Sequence, residues 1–251
     1  MVPQLIFGLP THGFFVALGV AVAAVVFVLE CRRRGALGEE SLVAVTGALV
    51  GGAIGMRLSS LAETLDPYES WLFGARSVLG GLLGAYLGVL MAKRLIGYRE
   101  RTGDLFAPAV ALGMAVGRIG CHLTEAPGRP TALPWGVHAP GSVPECPGCA
   151  SGAAMHPSFL YEIAFHLAAF CWLRWAREKI TAPGELFTLY VGAYAVFRFL
   201  VEFTRANDTV WLDLTRPQWF LIPGLLLVAV RVSIGYRRGI YDTILGRKVA
   251  A

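Results

Sequence analysis

Charge is what this sequence has least of: 16% of its 251 residues are Asp, Glu, Lys or Arg, against roughly 25% in an ordinary soluble domain. A soluble fold of this length could not cover its surface with so few. No basic residue precedes the first apolar stretch, and Arg32, Arg33 and Arg34 follow it. That order is the reverse of a secretory leader, so a retained first helix and an outside N-terminus are expected. Internal repeats and low-complexity segments are absent. So is a single basic patch, because the formal charge of +5 is dispersed in short groups between apolar stretches. This pattern suits membrane topology and excludes nucleic acid as a partner.

What remains is hydrophobic: 55% apolar residues and a mean hydropathy of +0.58. The chain reads as one all-α membrane domain over residues 1–251. Seven stretches approach the roughly 20 residues needed to span a bilayer, at about 12–30, 41–60, 77–95, 104–123, 157–175, 184–203 and 217–235. Threaded from outside, they place Arg32–Arg34, Lys93–Arg101, Arg174–Lys179 and the Arg231–Lys248 tail on the cytoplasmic side, which holds most of the 22 basic residues. The expected topology is therefore seven transmembrane helices, N-terminus out and C-terminus in. The longest loop, about 124–156, falls outside and is long enough to be functional. The glycines of 47–55 and 80–88 suit close helix packing.

The informative residues are polar groups inside or at the ends of spans. An arginine in hydrocarbon costs at least ~2.5 kcal/mol on insertion scales and persists where it faces a cavity or partner. Arg118 lies late in the fourth stretch. Arg198 lies in the sixth, with Glu202 one turn later and Arg205 beyond. Arg198 and Glu202 share a helix face at i,i+4, so an intrahelical ion pair is one reading. A second arginine near the same depth favours another, because two guanidinium forks suit an anionic lipid phosphate. Pairing with a carboxylate such as Glu162 is the structural alternative. His12, opening the first helix, is either an interfacial histidine or a base. His156-Pro157 reads mainly as a helix entry.

Five cysteines complete the set. Cys146-Pro147-Gly148-Cys149 is a CxxC in the outer loop, and Cys121-His122 ends the fourth stretch. With His138 or His156 these could hold zinc. A disulfide among Cys121, Cys146 and Cys149 is the alternative in an oxidising compartment.

Several separated motifs, in order over nearly the whole chain, resemble prolipoprotein diacylglyceryl transferases. They are Gly117-Arg118-Ile119-Gly120, Gly128-Arg129-Pro130-Thr131, Leu133 to Val137, His156-Pro157-Ser158 with Tyr161-Glu162, Tyr194 to Arg205, and Leu214 to Gln218. His12-Gly13 and Leu79 to Gly84 fall where that family has further motifs. The resemblance implies seven transmembrane helices in the bacterial inner membrane, with the active site toward the outer leaflet. It implies transfer of the diacylglyceryl group of phosphatidylglycerol to the lipobox cysteine of a prolipoprotein signal peptide. Glycerol-1-phosphate leaves, and no metal or soluble cofactor is used.

Residue by residue, the resemblance makes Arg118 and Arg198 the essential arginines. It adds Glu202 to the catalytic set, with His12 as a substitute base, and gives Gly80, Gly81, Glu125, Gly128, Tyr194 and Arg205 to the substrate site. The family histidine before the paired glycines is Leu79 here, the family tyrosine of the first helix is His12, and the family asparagine after Arg-Ile-Gly is Cys121. Those departures keep two other readings open: a divergent paralogue with another acceptor, and a non-catalytic lipid-binding protein.

Overall fold

The computed structural model describes residues 5–6, 9–64, 78–138 and 153–246. Among these it is mostly helical. The seven α-helices are α1 (Thr11–Arg33), α2 (Glu39–Thr64), α3 (Val78–Leu95), α4 (Gly103–Thr124), α5 (Ser158–Ala176), α6 (Glu185–Val201) and α7 (Arg216–Arg237). Each expected stretch is a helix. Five of them, α1, α2, α4, α6 with its following turn, and α7, are long and apolar enough to cross a membrane. This is an all-α membrane protein. Helix α5 carries Glu162, His166 and Arg174, which lower its hydropathy.

Three short antiparallel ribbons accompany the helices: β1 (Leu5–Ile6) with β2 (Leu9–Pro10), β3 (Val137–His138) with β4 (Ala154–Met155), and β5 (Thr209–Trp211) with β6 (Leu214–Thr215). The chain divides into two compact units. One comprises 1–29 with 102–251, the other 30–101.

The 30–101 unit is built on α2 and α3. Gly47, Gly51 and Gly55 face Gly80, Gly84 and Gly88, and a Cβ on any of Gly47, Gly51, Gly55, Gly84 or Gly88 would strike the opposite backbone. Small residues at i,i+4 spacing let two membrane helices touch along their main chains. Lipid-type side chains point the other way, Leu49, Leu58 and Leu87 being exposed.

The other unit packs α4, α5 and α6 around Ala107, Ala111, Leu173, Ala176, Leu186 and Tyr190, with Ile180 and Tyr241 closing one end. Its polarity is inverted relative to a soluble domain. Leu226, Leu227 and Val230 are exposed, while Arg118, Glu162, His166, Arg198, Glu202 and Gln218 are buried.

Two local devices fix α6. Gly184 adopts φ 84° ahead of the helix, a conformation that costs other residues energy. The carboxylate of Asp104, from α4, accepts the Gly184 and Phe187 amides at 2.8 and 3.1 Å. Helix α7 starts with a capping box, Thr215 and Gln218, and a proline at its first turn, the residue types that stabilise a helix N-terminus.

Candidate active site

A group of buried polar residues of this unit converges at the ends of α4 and α6 and the start of α5. Helix α4 presents Arg118, whose Nε lies 2.6 Å from Glu162 Oε2 on α5. Glu162 Oε1 in turn accepts from Arg205 Nη1 at 3.4 Å. Arg205 Nε stands 3.8 Å from Glu202 Oε2 and its Nη2 stands 4.0 Å from Glu125 Oε2. Arg198 pairs with Glu202 across one helical turn. Glu202 Oε1 also accepts from Asn207 Nδ2 at 2.7 Å and Thr215 Oγ1 at 2.9 Å. The result is one continuous network of three guanidinium groups around the buried carboxylates of Glu162 and Glu202.

Both carboxylate pairings read from the sequence are present. Arg198 and Glu202 form the i,i+4 pair, and Arg118 takes Glu162, the carboxylate named as its structural alternative. Of the carboxylates around the three guanidinium groups, Glu162 and Glu202 are buried and Glu125 is partly exposed. Burial is the largest influence drawing the Arg205 pKa below the usual arginine value, and Arg198 and Arg118 add repulsion against the attraction of Glu162 and Glu202. Such a cluster is relieved by an anion. Tyr194 is buried on α6, with its hydroxyl within interaction range of Arg118, Glu162 and Arg198. The His166 ring lies tilted beside it, centroids 4.7 Å apart, with its Nδ1 3.1 Å from the Tyr190 hydroxyl.

Gly128 sits where the loop from α4 returns. Its amide donates to His156 O at 2.8 Å, and the next amide, Arg129, donates to Thr204 O at 2.7 Å. A Cβ at Gly128 would run into Thr204 O and Ser158 Oγ. Glycine is therefore required to join the loop, the α5 start and the α6 end. His156 and Pro157 stand just before α5, the expected helix entry, and His156 Nδ1 lies 3.2 Å from the Tyr161 hydroxyl.

On the more exposed flank of Arg118 stand His12, Cys121 and Glu125. Arg118 Nη1 is 3.7 Å from Cys121 Sγ, which is 3.9 Å from His12 Nδ1. His12 Nδ1 is 3.6 Å from Glu125 Oε1. The three donor atoms lie within 4.8 Å of one another, close enough to hold a metal ion. Among the described residues Cys121 is a free thiol. Cys146 and Cys149 lie outside the described residues.

Of the residues singled out from sequence, His12, Arg118, Glu125, Gly128, Tyr194, Arg198, Glu202 and Arg205 therefore share one unit. Gly80 and Gly81 belong to the other, where Gly81 packs on Met56 and the backbone carbonyl of Gly80 meets Gly55. Sequence reasoning missed Asn207, Thr215 and Gln218. The capping box was the available signal for the last two, and it did not reveal that Thr215 also holds Glu202.

A family model described as prolipoprotein diacylglyceryl transferase matches residues 3–234. The chain is similar to proteins named phosphatidylglycerol–prolipoprotein diacylglyceryl transferase from several bacteria. It is 34% identical to that of Bordetella bronchiseptica over 72% of this chain and 71% of the relative. Identity is also 34% with that of Chromohalobacter salexigens, over 79% and 73%. For Clostridium tetani it is 30%, over 80% and 84%.

Proposed function

Because this chain belongs to the prolipoprotein diacylglyceryl transferase family, we propose that it transfers the diacylglyceryl group of phosphatidylglycerol to the cysteine thiol of a prolipoprotein. The observation that carries the reading is the Arg118–Glu162–Arg205–Glu202–Arg198 network. Its three guanidinium groups are gathered around two fully buried carboxylates, and planar forks held in this way suit the phosphodiester of phosphatidylglycerol.

The chemistry follows from that match. The acceptor thiolate attacks the glyceryl carbon, the carbon–oxygen bond breaks, and the electron pair passes to the phosphate. Glycerol-1-phosphate departs with the thiol proton and a thioether remains. Charge on the phosphate rises along this path, and fixed guanidinium groups away from bulk water stabilise that charge. In our reading Arg118 and Arg198 hold the phosphate, Arg205 adds a third positive group, and Glu162 and Glu202 keep the forks in place. Gly128 and Tyr194 complete the headgroup site. The residues available to the acceptor thiol are His12, Cys121 and Glu125, the more exposed flank.

The distribution of basic residues supports a site toward the outer leaflet of the inner membrane, with the N-terminus outside and seven spans. The acceptor is then the lipobox cysteine of an exported signal peptide. Purified chain given phosphatidylglycerol and a lipobox peptide tests the reading. A diacylglyceryl-sized gain in peptide mass with release of glycerol phosphate is expected. Glycerol phosphate without peptide modification would indicate another acceptor, and lipid binding without turnover would indicate a non-catalytic protein.

A further inference from the structure

We propose that His166 is a positioning residue for the transfer: anchored by Tyr190, it fixes the aim of the Tyr194 hydroxyl at the phosphate that the buried arginines receive. This rests on the transferase reading above and adds to it a layer of residues behind the arginines.

Two helices carry the polar groups of this layer in matching register. On α5, His166 follows Glu162 by four residues, and both are fully buried. On α6, Tyr190, Tyr194 and Arg198 recur every four residues. That spacing puts each set on one face of its helix. Glu162 joins the arginine network, and His166 stands one turn further along α5, in contact with both tyrosines. Its Nδ1 is 3.1 Å from the Tyr190 hydroxyl. Its ring lies 4.7 Å from the Tyr194 ring, at 43°.

An imidazole is a costly filler at this place. Ionisable side chains inside a membrane span are rare and mark function by default. A phenylalanine would occupy the space without burying a polar group. His166 Nε2 is buried with no hydrogen-bond partner among the described residues. Among these residues, then, the Tyr190 hydroxyl is the polar contact that orients the ring. The oriented ring is in turn a support for the Tyr194 side chain. Phe165 adds a second, with centroids 5.9 Å apart, and is itself stacked on Phe197 at 4.4 Å. Rings packed at these distances hold one another in preferred orientations.

The aim of Tyr194 matters because of what surrounds its hydroxyl. Arg118, Glu162 and Arg198 all lie within interaction range of it. It is buried and closes no well-formed hydrogen bond among the described residues. An uncommitted O–H donor beside two guanidinium groups is placed to donate to an anion that they hold. Such a bond strengthens as charge builds on the departing phosphate. Loss of the His166 ring leaves the hydroxyl present and loosens its aim, and misplacement of a reacting group lowers rate more than binding. No proton passes through His166.

The test is steady-state lipidation of a lipobox peptide by the full chain in detergent with phosphatidylglycerol. It compares the parent with His166→Phe, Tyr190→Phe, Tyr194→Phe and the double variant His166→Phe/Tyr194→Phe. His166→Phe should lower kcat by about tenfold or more, with KM for phosphatidylglycerol at the parent value. Tyr190→Phe keeps the imidazole, removes its anchor and should lower kcat in the same way. The double variant should be no slower than Tyr194→Phe alone, because His166 acts through that hydroxyl. The pH–rate profile should keep its shape in His166→Phe.

A parent-like kcat in folded His166→Phe overturns the positioning role, as does a parent-like kcat in Tyr190→Phe where His166→Phe does not fold. Additive losses in the double variant overturn it too, since they would mean a general weakening of the helix packing. A vanished limb of the pH profile would make His166 a proton carrier, and a rise in KM alone would make it a lipid contact; either overturns it. A parent that does not lipidate the peptide counts against the transferase reading instead. The positioning role is then read from the phosphorus NMR shift of bound phosphatidylglycerol. Tyr194→Phe and His166→Phe should change that shift alike, and a change in Tyr194→Phe alone overturns the role.

Discussion

Arg118 Nε and Glu162 Oε2 are 2.6 Å apart, and Glu162 has no exposure to solvent. The same carboxylate reaches Arg205 through its other oxygen. Removing its charge strips two buried guanidinium groups of a partner. Glu162→Gln should destabilise the protein by about 3–5 kcal/mol, read as a lower thermal midpoint in detergent. Added phosphatidylglycerol should recover part of the loss, because a bound phosphate restores the missing negative charge. A variant as stable as the parent would remove Glu162 from the network.

Arg198 supplies a fork, and a lysine supplies only a point charge. One nitrogen of Arg198 is already committed to Glu202. Arg198→Lys should therefore lower the initial rate of peptide lipidation by about 10²–10³-fold, the loss seen when a transition-state donor is removed. Full activity in that variant would mean that the planar group is not used.

Gly128 is tested by Gly128→Ala. The added methyl meets the Thr204 carbonyl and the Ser158 hydroxyl, both fixed by their own hydrogen bonds. The segment joining α4, α5 and the end of α6 must shift, so transfer should fall while the helix content measured by circular dichroism stays constant. A parent-like rate would show that this junction tolerates displacement.

At the other end of α6 the Tyr241 hydroxyl donates to Glu185 Oε2 at 2.7 Å. Burial, then that hydrogen bond, push the tyrosine pKa above its ordinary value of 10.0. The fold holds the neutral phenol, while an unfolded chain ionises it near the ordinary value. Its contribution to stability is thus present below pH 10 and is lost as pH rises through the raised value. Thermal midpoints taken across this range should decline more steeply for the parent than for Tyr241→Phe.

The helices were legible because each is a long apolar run, and no other arrangement of those runs satisfies a backbone in lipid. The glycine spacing of α2 and α3 was legible for the same reason that it works, since small residues every fourth position make one smooth face. Arg118 and Arg198 stood out as charges where hydrocarbon was expected. Their partners were harder. Glu162 lies on a different helix from Arg118, and nothing in the local sequence links the two. Asp104 capping α6 is another contact of this kind. Cys121 was read as a metal ligand candidate with Cys146, Cys149, His138 or His156. The fold instead brings it His12, from the far end of the chain, and Glu125, one turn on.

The central claim is that the buried arginines act on a lipid phosphate during transfer to a cysteine. The most direct measurement is the rate of mass gain by a lipobox peptide, with phosphatidylglycerol, for the parent chain and for folded Arg118→Ala. The account predicts steady diacylglyceryl addition by the parent and a loss of at least about 10²-fold in the variant. Equal rates in the two proteins would contradict it.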